Sequence, residues 1–200
     1  MPKIMIIGAT GLIGRHIVAA LSGHAELITA SRKGGMETVD IRDVASIDAL
    51  FSRIEPVDHI ISVAGEAPFK PFDQASNEDW QDGIASKMMG QINLVRKGWH
   101  KIVPGGSITL TSGVLSSYPM PGSSIISTIN AAVEGFTRAA AVELAGKVRI
   151  NAISPGWIAE TLQAMGMNTD PGLPATQVAE AYRALLTSDE TGQIKITMKH

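Results

Sequence analysis

Short apolar runs alternate with longer helical patterns along nearly the whole 200-residue chain, and this alternation restricts its fold more than any other feature. The β-rich runs are residues 3–8 (KIMIIG), 26–31 (ELITAS), 58–65 (DHIISVAG), 106–113 (GSITLTSG), 147–154 (KVRINAIS) and 193–198 (QIKITM), with a marginal run at 38–41 (TVDI). Several are apolar throughout, as strands buried on both faces must be. Helical patterns lie between them at 12–23, 44–54, 84–102, 123–146 and 176–187. Strands each followed by a helix predict an α/β fold: a Rossmann-type doubly wound parallel sheet of about seven strands, with helices on both faces. The length and 44% hydrophobic content fit a single domain over residues 1–200.

The first run passes directly into Gly8-Ala9-Thr10-Gly11-Leu12-Ile13-Gly14 and then into a helix. Glycines at such a turn let the backbone approach a pyrophosphate, and the helix N-terminus offers it free N–H groups and a positive dipole end. The second run ends in Ser31-Arg32-Lys33, where a fold selective for NAD would carry an acid for the ribose 2′-OH. A guanidinium there suits the 2′-phosphate of NADP instead. Two loops rich in Gly, Pro and Ser, at 113–124 and 156–174, follow predicted strands, so both belong over the carboxyl edge of the sheet. The second is long enough for a lid and partly helical.

The balance of charge excludes other classes. Seventeen basic and nineteen acidic residues give a net charge of -2, with no general attraction for nucleic acid or an anionic membrane. No cysteine is present, so disulfides, thiolate metal sites and a Cys nucleophile are excluded, and a reducing compartment is suited. The five histidines, at 16, 24, 59, 100 and 200, lack zinc-motif spacing, so no metal is expected. No run approaches the ~20 apolar residues of a membrane span. The expectation is a soluble, cytoplasmic protein.

These motifs together resemble the short-chain dehydrogenase/reductase family, from Lys3 to about Gln193. The glycine turn is similar to the family's cofactor loop, in the Gly-x-x-Gly-x-x-Gly spacing more common in its extended branch. Asp40-Ile41 resembles the pair beside the adenine ring, and Ser62-Val63-Ala64-Gly65 resembles the Asn-Asn-Ala-Gly segment with only Ala64 and Gly65 kept. Residues 149–156 (RINAISPG) resemble the segment whose Pro-Gly, here Pro155-Gly156, and following residues, here including Ile158, line the nicotinamide. The resemblance implies an oxidoreductase that binds NADP(H) in preference to NAD(H) and acts on an unknown carbonyl or alcohol. It also implies a homodimer or homotetramer packed through the helices of residues 84–101 and 124–145.

The family's catalytic set matches less well. Members carry a Ser after the fifth strand, a Tyr-x-x-x-Lys on the next helix and an Asn on the preceding helix. Ser112 corresponds to the Ser, but Ile126 falls at the Tyr, Asn130 at the Lys and Lys87 at the Asn. Isoleucine cannot exchange a proton, and a neutral amide cannot favour a phenolate electrostatically. Ser112, Lys87 and Tyr118 are therefore the catalytic candidates for a non-standard active site. A second expectation follows from the same replacements: a catalytically inactive NADP(H)-binding sensor or scaffold.

Overall fold

The computed structural model describes residues 1–199. Strand β1 (Lys3–Ile7) sets the layering, because its side chains alternate between two separate cores. Met5 and Ile7 join Ile47 and Leu50 of α2 (Val44–Arg53), Leu94 of α4 (Gly90–Gly98) and Val133 of α5 (Ser124–Glu143). Ile4 and Ile6 join Ile17 and Leu21 of α1 (Leu12–Leu21) and Val178 and Tyr182 of α7 (Ala175–Leu186) on the other face. This is the period-two pattern of a strand buried on both sides.

The remaining strands are β2 (Glu26–Ser31), β3 (Glu37–Thr38), β4 (Val57–Ser62), β5 (Ile102–Thr111), β6 (Arg149–Pro155) and β7 (Ile194–Thr197). They form one parallel seven-stranded sheet in the order β3-β2-β1-β4-β5-β6-β7. The chain winds outward from β1 to β3 and returns to place β4 against the other side of β1. Ligands of such sheets bind at that reversal, beyond the carboxyl ends of the strands.

All seven expected strands are present, with shifted ends. The marginal run at 38–41 starts one residue early and is short: β3 pairs with β2 at Glu37 and Thr38, and Val39 N–H donates to Ser31 O at 3.1 Å. β4 stops at Ser62 rather than residue 65, and Gly65 has φ +119°. β5 starts earlier than expected, at Ile102, and the register with β4 shifts between Val57 and His59.

The helical pattern at 84–102 is the later part of a longer rod. α3 (Asn77–Gly83), with Ser76 and Asp79 forming a reciprocal capping box, runs without interruption through a π-helical segment, Ile84–Met89, into α4. Wide π turns of this kind recur at functional sites, and this one carries Lys87. The 156–174 loop contains α6 (Ala159–Ala164). No described helix is long and apolar enough to cross a membrane.

Candidate functional site

The turn after β1 holds Gly8 at φ +91°, a conformation that side chains rarely adopt. A Cβ at Gly8 would stand 2.7 Å from Ala64 N and 2.9 Å from Val63 C, so the β1 and β4 turns touch through bare backbone. Gly14 packs α1 onto the same turn: a Cβ there would lie 2.1 Å from Gly8 O. α1 then begins at Gly11 with no side-chain cap and no acid in its first turn, which leaves its N-terminal amides open to an anion.

Above this turn lies an open cleft of about 510 Å³. Nine residues expected to bind a cofactor line it: Gly8, Thr10, Gly11, Ser31, Arg32, Asp40, Ile41, Ala64 and Gly65. Leu12, Ile13 and Gly14 do not; Leu12 and Ile13 pack partly buried against the α1–α7 core. Lys33, Val39, Arg42, Val63, Glu66 and Ser86 also line the cleft and were not among the expected binding residues. Arg32, Lys33 and Arg42 thus form a cationic end, where Arg32 Nη2 donates to Glu66 Oε1 at 3.2 Å in an exposed pair.

A second cavity, of about 200 Å³, contains Pro155, Gly156 and Ile158 from the end of β6 and beyond, together with Lys87, Ser112, Gly113, Ile126 and Asn130. Gly65 separates it from the cleft. A Cβ on Gly65 would stand 2.8 Å from Lys87 Cα, so the cleft wall and the π-helical segment meet in direct backbone contact. The remaining lining is mostly apolar, including Val114, Leu115 and Trp157, and Phe69 packs edge-on to Trp157 with ring centroids 6.5 Å apart.

Lys87 Nζ donates to Ser112 O at 3.0 Å and has no carboxylate partner in the cavity. Burial lowers its pKa to about 8. The Ser112 hydroxyl is turned away: Ser112 is buried, and its Oγ donates to Glu134 Oε1 at 2.7 Å. The next position is Gly113, where a Cβ would stand 2.7 Å from Asn130 Nδ2. Asn130 is buried and its Oδ1 has no partner.

The three catalytic candidates are therefore only partly assembled. Lys87 and Ser112 share the second cavity, whereas Tyr118 lies outside it at 58% exposure. The other tyrosine, Tyr182, is fully buried on the opposite side of the sheet, bonded to Thr111 Oγ1 at 2.7 Å, and lines neither cavity. Glu134, passed over as a chemical group in the sequence, is the buried acceptor behind Ser112. Among the described residues, no group of three or more His, Cys, Asp or Glu side chains could hold a metal.

The family model described as enoyl-(acyl carrier protein) reductase matches residues 13–198. The chain belongs to the short-chain dehydrogenase/reductase family. The protein lin1944 from Listeria innocua is similar at 34% identity and a TM-score of 0.94, over 98% of this chain and all of that one. A small-chain dehydrogenase in complex with NADPH is similar at 30% identity and a TM-score of 0.88, over 98% of this chain and 96% of that one. Among curated relatives, hydroxynaphthalene reductase arp2 of Aspergillus fumigatus is 28% identical over 155 residues, 70% of this chain. The match spans 57% of that relative's length.

Proposed function

We propose that this protein is an NADP(H)-dependent oxidoreductase with a non-standard active site, acting on a carbonyl or alcohol whose reacting group enters the second cavity. The observation that carries this reading is Lys87: it is the one lining residue of that cavity with an ionisable side chain, and its pKa of about 8 suits proton transfer near neutrality. The cleft fits a dinucleotide, because Gly8 lets the β1 and β4 turns close together as bare backbone along it and α1 presents uncapped amides. Thr10, Gly11 and the amides of Leu12 and Ile13 would hold the pyrophosphate. Asp40 and Ile41 would flank the adenine, and Arg32 and Arg42 the 2′-phosphate. Pro155, Gly156 and Ile158 would border the nicotinamide.

A dinucleotide held in this way would supply or accept the hydride. The Lys87 ammonium donates a proton to the carbonyl oxygen in reduction, and the neutral amine takes it back in oxidation. Ser112 positions Lys87 through its carbonyl, while Ile126 and Trp157 exclude water from the reacting centre. The similarity to hydroxynaphthalene reductase arp2 supports the reductive direction. Turnover of NADPH with a panel of aldehydes and ketones tests the reading; cofactor binding without turnover of any of them would sink it.

A specific set of observations favours a second reading, a cofactor-binding sensor or scaffold without catalysis. By resemblance Ile126 and Asn130 fall at the family's Tyr and Lys, and in the structure both line the cavity, Tyr118 is outside it, and the Ser112 hydroxyl is engaged by Glu134. That reading requires NADPH to change the protease sensitivity of residues 156–174. A homodimer or homotetramer remains part of the proposal and is tested by light scattering of the purified chain; a cytoplasmic location is tested by cell fractionation.

A further inference from the structure

The structure assigns a positioning role to Glu134, which fixes the distance between the two walls of the second cavity; this rests on the functional reading above. One carboxylate oxygen, Oε1, accepts three hydroxyl hydrogen bonds from three separate segments. Ser112 at the end of β5 donates at 2.7 Å, Ser116 in the following turn at 2.7 Å, and Ser154 near the end of β6 at 3.2 Å. The other oxygen lies 3.8 Å from Arg138 Nη2, one turn along α5.

Glu134 does not line the cavity; it stands behind it. The segments it ties do form the walls: Ser112 to Leu115 on one side and Pro155 to Ile158 on the other. The β5–β6 ladder joins the strands as far as Ser112, whose N–H donates to Ile153 O at 2.8 Å; beyond it the two walls part, and the buried acceptor on α5 ties Ser112 and Ser116 on one side to Ser154 on the other. Hydrogen bonds to an ionised group are about twice as strong as neutral ones, which suits an anchor that must hold three hydroxyls. Removing the acceptor leaves the buried Ser154 hydroxyl without a partner, leaves Ser112 only the Asn130 carbonyl at 3.2 Å, and releases the Ser116 turn.

Binding of two probes separates this role from general stability. 2′,5′-ADP occupies only the cleft, whereas NADPH also needs the second cavity. For E134L, NADPH affinity is expected to fall by about tenfold, and 2′,5′-ADP affinity to stay within about twofold. E134Q keeps an acceptor and is expected to restore most NADPH affinity. S116A, at a partly exposed turn, frees one wall with little risk to folding and is expected to weaken NADPH selectively as well. In turnover, KM for the carbonyl should rise more than kcat falls in S116A.

Equal loss of both probes in E134L, or loss of neither, overturns the inference while leaving the functional reading intact. So does unchanged NADPH binding by S116A, which keeps the test decisive should E134L fail to fold. Wild-type protein that binds neither probe overturns the functional reading, and this inference with it.

Discussion

Lys87 Nζ donates 3.0 Å to the carbonyl oxygen of Ser112, and that bond fixes an ammonium in a cavity where no carboxylate neutralises it. Burial is the whole cause of its lowered pKa, about 8. An acid of that strength is mostly protonated at neutral pH and can still release its proton. For reduction, kcat/KM should therefore be flat below pH 8 and fall as pH rises through it. K87M should lower kcat by about 10² to 10⁴-fold, and a pH profile of any residual turnover should lose the inflection.

The same group links pH to stability. Its folded pKa, about 8, lies below the ordinary 10.5, so the unfolded chain binds more protons between those values. Wild-type stability contributed by this group must rise with pH across that window. K87M should therefore be the more stable protein at pH 7, with the gap narrowing from about pH 8 to 10.5. Denaturant unfolding of both proteins at pH 7 and 10 measures this directly.

Tyr118→Phe should leave turnover within about twofold of wild type, because surface changes remote from a site perturb little. Tyr118 is 58% exposed and lines neither cavity. A loss of activity comparable with K87M would return the proton-donor role to Tyr118.

The fold was legible because strand alternation and the glycine turn are local patterns. β1, α1 and the end of β2 could be placed almost residue by residue. α3 was not, since its seven residues, Asn77–Gly83, are mostly polar and have no apolar period; its one signal was Ser76 three residues before Asp79. At the site, Arg32 could be found from its strand-end position and Asp40 by resemblance. Arg42 could not, because only the turn after residue 41 brings it to the cleft. Ser112 was found by resemblance, but the direction of its hydroxyl depends on Glu134, 22 residues away, and no sequence spacing encodes that contact.

Gly65→Ala should weaken cofactor binding through backbone displacement. At φ +119° an L side chain is strained, and its Cβ would press on Lys87 Cα from 2.8 Å. Strain of this kind costs about 1–3 kcal/mol. Thermal unfolding should show that loss, and Lys87 should be moved with the wall, so NADPH affinity and kcat should fall together. Unchanged kcat in a stably folded G65A protein would show that the two cavities do not communicate there.

In the proposed function cofactor choice rests on the cationic end of the cleft, where Arg32 is already paired with Glu66 at 3.2 Å. Both partners are largely exposed, so the pair is weak and a doubly charged phosphate should displace Glu66 from the guanidinium. NADPH should therefore raise the melting temperature more than NADH at equal concentration, since a ligand at about 100 times its Kd adds about 2.7 kcal/mol. R32A and R42A should each weaken NADPH by about ten- to a hundredfold, the scale of a charge-assisted hydrogen bond, and leave NADH nearly unchanged. E66Q removes the competitor for Arg32 and should strengthen NADPH binding by a few-fold. Titrations of all four proteins with both cofactors decide the matter: equal affinities in wild type, or equal losses for the two cofactors in R32A, would remove the 2′-phosphate from the role given to this end of the cleft.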